Sequence, residues 1–144
     1  MHDDEADAVE RRDAGYTLTE MLEVIVIIAL IAAVLTPSLL GQLARARAKT
    51  ASLQLDTTTT SLEMFKDDIG RYPTEGEGLK ALVVDPGIQG WLGPYLKSDK
   101  ALNDPWGHPI VYTATADGAT VTMLGADGKP GGKGADQDLT ATLK

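Results

Sequence analysis

Three aspartates in a glycine-rich segment near the end of the chain are the residues whose type and spacing best suit chemistry. Asp127, Asp136 and Asp138 lie in the segment 124–139, which also holds five glycines. Carboxylate and carbonyl oxygens on a loop suit Ca²⁺, which takes 6–8 oxygen ligands. The D-x-D-x-D-G spacing of an EF-hand is absent, and surface carboxylates are usually solvated. The pattern alone therefore favours a solvated acidic turn over a calcium site.

Few other residues suit catalysis. The chain has two histidines, His2 and His108, and no cysteine, which leaves little for nucleophilic or metallo-hydrolytic chemistry. His108 is interpreted as a surface or turn residue. Neither Gly-Lys pair, at Gly128 and Gly132, is followed by the Ser or Thr of a phosphate-binding P-loop. The formal charge of -8 argues against nucleic-acid binding, because phosphate contacts need a basic face. We expect neither an enzyme nor a nucleic-acid-binding protein.

One apolar segment dominates the first third of the chain. Residues 21–40 hold 16 hydrophobic residues, and the run from Val24 to Leu35 is uninterrupted. About 20 predominantly apolar residues suffice for a helix to span a bilayer, so a transmembrane segment is predicted over about 18–40. Glu20 and Glu23 stand three residues apart at its edge, on one face of a helix. Pro37 is expected to kink or locally open the helix, because proline lacks the amide proton of one helical hydrogen bond.

The sequence beyond the membrane predicts a long helix followed by a small sheet. Apolar residues at helical spacing continue to Ile69, and Gly70 is a suitable helix stop. A short helix is expected at 77–84. The segments 109–114 and 120–124 each alternate apolar and polar residues, and Asp117-Gly118 lies between them. This pattern predicts a β-hairpin that packs on the helix. The predicted fold class is α+β, with Trp91, Tyr95 and Trp106 packed in the core or between sheet and helix.

The start of the apolar segment resembles the processing site of type IV pilins and pseudopilins. Residues 15–20 read GYTLTE and lead directly into the apolar run. The resemblance implies a leader peptide at 1–15, cleavage between Gly15 and Tyr16 by a prepilin peptidase, and methylation of the new N-terminus. It also implies that Glu20, the fifth residue of the mature chain, assists assembly by pairing with the N-terminal amine of a neighbouring subunit.

Further motifs are similar to those of the major pseudopilins of type II secretion, the general secretion pathway G proteins. The resemblance implies a type IV pilin-like fold, with a long helix over 16–70 and a periplasmic globular region over 71–144. It also implies a calcium loop held by Asp127, Asp136, Asp138 and the carbonyl of Leu124. The motifs are GRYPT at 70–74, EGLKALV at 77–83, WLGPYL at 91–96, DPWGHP at 104–109 and LGADG at 124–128.

The function that the resemblance implies is structural. The subunit would be held in the inner membrane by a single span, with its C-terminal region in the periplasm. It would form a homopolymer, the pseudopilus, that helps extrude folded proteins across the outer membrane, together with minor pseudopilins and an inner-membrane assembly platform. Two alternatives stay open: a type IV pilus subunit, and a membrane-anchored calcium-binding protein that does not assemble.

Overall fold

In the computed structural model, residues 15–144 are described, and they belong to two compact units. The first unit ends at Leu39 and the second runs from Leu40 to Lys144. Helix α1 (Leu18–Ile69) is followed by the strands β1 (Val111–Thr115), β2 (Gly118–Met123) and β3 (Leu139–Leu143). The α+β class is thereby confirmed. The predicted leader lies outside the described residues, apart from Gly15.

Helix α1 confirms the predicted long helix, beginning two residues later than Tyr16 and ending at Ile69. It continues through Pro37, whose missing amide proton leaves one carbonyl without its helical donor. The four consecutive threonines at 57–60 are also helical. Each of their hydroxyls donates to a carbonyl one turn earlier, for example Thr58 to Gln54 at 2.8 Å and Thr60 to Asp56 at 2.9 Å. These bonds satisfy the hydroxyls inside a helix that β-branched residues disfavour.

In the first unit, the side chains of α1 are exposed along its whole apolar stretch. The segment has a mean hydropathy of 2.7 over its most apolar window, and none of that window is buried within the chain. Its length and composition fit a membrane anchor.

The second unit contains an antiparallel sheet in the order β1-β2-β3. The predicted hairpin is confirmed, and its two strands are joined by a two-residue turn because Thr115 pairs with Gly118. The third strand was not predicted. It pairs with β2 from Ala119↔Leu143 to Met123↔Leu139. A Cβ atom at residue 118 would collide with the backbone of Leu143, so glycine is needed where β3 passes.

The core of the second unit joins one face of α1 to one face of the sheet. Phe65 and Leu62 of α1 and Val121 and Met123 of β2 are completely buried. Gln54 also fastens the helix, since its side-chain amide donates to the carbonyls of Ala101 and Asn103 at 3.1 and 2.6 Å. The other buried hydrophobic residues are Ala51, Leu55, Leu79, Ala81, Leu82, Leu96, Ile110, Ala119 and Leu143.

The aromatic residues lie around this core, as predicted. The ring of Tyr95 makes edge contacts with Phe65 and Trp91 at centroid distances of 5.7 and 5.9 Å. Trp106 is partly buried against the same cluster. The helix predicted over 77–84 is a single 3₁₀ turn, Leu79–Leu82, because Gly78 precedes it with a φ of 57° and Val83 ends it.

Candidate functional site

The residues of the predicted processing site lie directly before and within the first turn of α1. Gly15 and Tyr16 precede the helix, and the Tyr16 side chain is 80% exposed. Glu20 lies in the first turn, where its Oε2 accepts hydrogen bonds from the amide and hydroxyl of Thr17 at 2.7 and 2.9 Å. The amide of Glu20 donates to the Thr17 hydroxyl at 3.2 Å. This reciprocal pair is a capping box, which satisfies amide groups that have no partner within the helix.

The capping box gives Glu20 a role that the sequence analysis did not anticipate. Its carboxylate is exposed and stabilises the start of its own helix, where a negative charge also complements the helix dipole. Glu23, one turn further, is likewise exposed. The Thr-x-x-Glu spacing at 17–20 was the available signal for this cap.

The apolar face that follows is large and has no covering residues within the part of the chain that the structure describes. Val34 is 77% exposed, and Ile25, Ile28 and Leu30 are each at least 60% exposed. Apolar surface of this extent is stabilised only by lipid or by another protein surface.

The predicted calcium loop is held by its own backbone and by two of the predicted aspartates. Asp127 accepts a hydrogen bond from the amide of Lys129 at 3.0 Å, and Asp138 accepts one through Oδ2 from the amide of Gly131 at 2.8 Å. The amide of Ala126 donates to the carbonyl of Ala135 at 2.9 Å, which closes the loop at its base.

Two glycines of the loop allow a close backbone approach. Gly125 and Gly132 both adopt positive φ, and both lie against the backbone of Asp136. A Cβ atom on Gly125 would be 2.6 Å from the carbonyl oxygen of Asp136. Only glycine fits both the backbone conformation and this space.

One oxygen in the loop lacks a partner. Asp138 Oδ1 is buried and accepts no hydrogen bond, while Oδ2 of the same carboxylate is satisfied by Gly131. A buried carboxylate oxygen without a donor is costly, and a hard cation would satisfy it. Across residues 15–144, no three His, Asp or Glu side chains converge as a metal centre, so the side chains of Asp127, Asp136 and Asp138 are not gathered into one cluster. The donor set of the loop, carboxylate oxygen and backbone carbonyl, fits calcium chemistry at Asp138.

A pair formed by the buried Asp104 and the partly exposed His108 adjoins this loop, and it was not predicted from the sequence. The side chain of Asp104 has no exposed surface, and its Oδ2 lies 3.4 Å from Nδ1 of His108. The imidazole of His108 is 35% exposed and lies beside Gly128, where a Cβ atom would be 2.9 Å from Nε2. His108 therefore packs between Asp104 and the loop, and it remains a partly exposed residue of the turn at Asp104, in line with its interpretation.

Comparisons with known proteins place these features in one family. A family model described as type II secretion system (T2SS), protein G, matches residues 38–142. The type II secretion system core protein G of Xanthomonas campestris pv. campestris is 42% identical over 132 residues, which cover 88% of this chain and 90% of that protein. The protein of the same name from Vibrio cholerae is 35% identical over 135 residues, covering 90% and 91%.

A solved structure also matches. The major pseudopilin from the type 2 secretion system of enterohaemorrhagic Escherichia coli superposes with a TM-score of 0.52 at 26% identity, and the match covers 72% of this chain and 93% of that one. The family model covers most of the chain, and the two named relatives exceed 30% identity over most of their lengths. The chain therefore belongs to the protein G family of the type II secretion system.

Proposed function

We propose that this chain is the major structural subunit of a type II secretion pseudopilus, a fibre that helps to extrude folded proteins across the outer membrane. The observation that carries the proposal is the combination of family membership with an apolar helix that nothing in the described chain covers. A bilayer would cover this surface before assembly, and the helices of neighbouring subunits would cover it in the fibre. The subunit acts by packing, and no reaction is assigned to it.

The proposal begins with processing between Gly15 and Tyr16 by a prepilin peptidase, followed by methylation of the new N-terminus. The position of the scissile bond supports this step. Both residues precede the first turn of α1 and are exposed, so no helical turn has to unwind before cleavage. Thr17, the capping residue, would remain as the second residue of the mature chain.

Glu20 is proposed to guide assembly by pairing with the N-terminal amine of a neighbouring subunit. Cleavage would create such an amine at Tyr16 of every subunit. The carboxylate is exposed, and it keeps acceptor capacity beyond its two bonds to Thr17. A charge that enters an apolar assembly needs a partner of opposite sign, and the amine would supply one.

Calcium is proposed as the ligand of the loop 124–139, with Asp138 as its main ligand and with Asp127, Asp136 and the carbonyl of Leu124 as the further ligands. The unpartnered Oδ1 of Asp138 supports the proposal. The ion would stabilise a loop whose glycines lose much backbone entropy on ordering.

The proposed location is the inner membrane, with a single span at about 18–40 and the region 71–144 in the periplasm. The partners would be further copies of the chain, minor pseudopilins and the inner-membrane assembly platform. The exposed apolar stretch fits such an anchor.

The test uses the two glutamates that share one helix face. In the native host with its own gene deleted, we expect Glu20→Ala to be cleaved normally, but to give at least about tenfold fewer fibres and little secretion. Glu23→Ala is the matched control, and it should assemble at close to the wild-type level. Normal fibres from Glu20→Ala would contradict the role of Glu20, whereas a deletion strain that secretes normally would contradict the proposed function itself.

A further inference from the structure

Shortly after its apolar segment, α1 carries a basic cluster formed by Arg45, Arg47 and Lys49. All three side chains are exposed, and none forms a salt bridge within the described part of the chain. No acidic residue occurs between Glu23 and Asp56, although the whole chain has 21 acidic residues against 13 basic ones. The basic cluster is therefore a positive surface on an acidic protein, and no carboxylate of the chain neutralises it.

The three bases of the cluster do not share one face of the helix. At about 100° per residue, Lys49 lies about 40° around the helix axis from Arg45, whereas Arg47 lies about 160° from both. A protein partner contacts one face of a helix. Lipid headgroups surround a helix on all sides where it leaves a bilayer. The distribution of charge around α1 therefore fits a layer of headgroups better than a single protein surface.

The basic cluster also follows the apolar segment at a suitable distance. Its residues come five, seven and nine positions after Leu40, which corresponds to about 8–14 Å along a helix. The polar layer of a bilayer extends about 5–8 Å beyond the hydrocarbon on each side. Helical side chains incline towards the N-terminus of their helix, and this direction is the bilayer side of the cluster. Long Arg and Lys side chains can therefore reach back to the lipid phosphates.

We propose that the basic cluster binds the phosphate groups of anionic phospholipids at the membrane surface. The guanidinium groups of Arg45 and Arg47 match phosphate oxygens with two parallel hydrogen bonds each, and the ammonium group of Lys49 adds a point charge. The contact holds the end of the membrane span at the level of the headgroups. The inference rests on the proposed location in the membrane, and it deepens that proposal by naming the class of lipid and the residues that bind it.

The lipid preference of the full-length chain tests the inference in phosphatidylcholine vesicles. Electron paramagnetic resonance of spin-labelled lipids measures which lipid lies next to the protein. Spin-labelled phosphatidylglycerol should associate at least about threefold more strongly than spin-labelled phosphatidylcholine, because basic residues at a membrane surface attract anionic headgroups. The preference should weaken in about 1 M salt, where the screening length falls to about 3 Å. A preference that salt does not weaken would contradict binding through charge.

Removal of charge identifies the residues that bind the lipid. Arg45→Gln/Arg47→Gln/Lys49→Gln should lose most of the preference for phosphatidylglycerol. The matched control removes three exposed positive charges elsewhere in the second unit, as Lys80→Gln/Lys97→Gln/Lys100→Gln. It should keep the preference, which shows that net charge alone is not responsible. Equal association of the two lipids with the wild type, or an unchanged preference in the first variant, would overturn the inference.

Two further measurements separate the lipid from other anions and from a failure of the proposed location. Inorganic phosphate that replaces chloride at equal ionic strength should leave the preference unchanged, whereas displacement of the lipid would show a site for free anions and overturn the inference. Alkaline extraction of native-host membranes tests the span itself. If the chain resists extraction but shows no lipid preference, only the inference fails. If the chain is extracted, the proposed location fails and the inference fails with it.

Discussion

The guanidinium of Arg71 and the carboxylate of Glu77 form a two-pronged ion pair, with hydrogen bonds of 2.8 and 2.9 Å. Glu77 also accepts a hydrogen bond from the amide of Thr74 at 2.7 Å, and its own amide donates to the Thr74 hydroxyl at 3.3 Å. The ion pair thereby connects the segment just after α1 to the segment just before the 3₁₀ turn Leu79–Leu82. That turn contributes buried side chains to the core.

This ion pair makes the stability of the fold depend on pH. The hydrogen bond from Arg71, with those from Thr74, lowers the pKa of Glu77 from 4.5 to about 2. Because the pKa is lower in the folded state, the stabilisation is complete above about pH 4.5 and is lost as the pH falls towards 2. Glu77→Gln should reduce the free energy of unfolding by about 1 kcal/mol at pH 7, since Arg71 is partly exposed and solvent screens the pair. The loss should shrink towards pH 2.

Urea unfolding of the full chain in detergent, measured between pH 2 and 7, checks this dependence. Glu75→Gln, an exposed neighbour, is the control and should leave the profile unchanged. If the unfolding free energies of Glu77→Gln and the wild type differ by the same amount at pH 2 and at pH 7, the effect is not electrostatic.

Phe65 is expected to be the most sensitive core position of α1. Its side chain is completely buried and contacts the ring of Tyr95. Phe65→Ala should destabilise the second unit by about 3–5 kcal/mol, through lost apolar burial and the cavity that remains. Leu53→Ala, where the leucine is 59% exposed on the same helix, should cost less than about 1 kcal/mol. Comparable losses in the two variants, by thermal or urea unfolding, would contradict the assigned core.

Asp104 is expected to be needed for folding and not for chemistry. Its Oδ1 accepts hydrogen bonds from the amides of Trp106 and His108 at 3.0 and 2.8 Å. Asp104→Ala would leave both amides without this acceptor, at about 1–3 kcal/mol for each group that remains buried. Asp104→Asn keeps an oxygen in place and should lose much less stability. Unfolding experiments that rank the two variants equally would contradict this role.

The helix and the hairpin could be predicted because their signals are local. Apolar spacing and Gly70 determined the end of α1 to the residue, and the alternation around Asp117-Gly118 located the hairpin. Strand β3 was not predicted, although its residues, LTATL at Leu139–Leu143, alternate apolar and β-branched polar side chains as strands do. The local signal was available, but the partner strand β2 is set by the fold.

Part of the candidate site could not be predicted from local sequence patterns. The motif around Gly15 and Glu20 was recognised by its resemblance to pilin processing sites, but the packing of His108 between Asp104 and Gly128 joins residues about 20 positions apart in the chain. The spacing of apolar residues along the chain carries no information about such a contact. The Asp104 turn itself had a signal, since an aspartate commonly accepts a hydrogen bond from the amide two residues later.

Calcium should stabilise the full chain if the loop 124–139 binds it. At 100 times its dissociation constant, a ligand specific for the folded state adds about 2.7 kcal/mol. The measurement is the difference between melting in calcium and melting in chelator, in detergent. Asp138→Ala should abolish this difference, whereas Asp117→Ala, an exposed aspartate in the hairpin turn, should preserve it. A wild-type chain that melts at one temperature in both conditions would contradict the calcium proposal.

The central claim is that this chain is cleaved after Gly15 and then assembles through the exposed apolar face of α1. The most direct test is the intact mass of the subunit in fibres purified from the native host. The account predicts fibres built from a chain whose first residue is methylated Tyr16. Fibres without this chain, or a cellular chain that keeps residues 1–15 or is cut within the apolar segment, would contradict it.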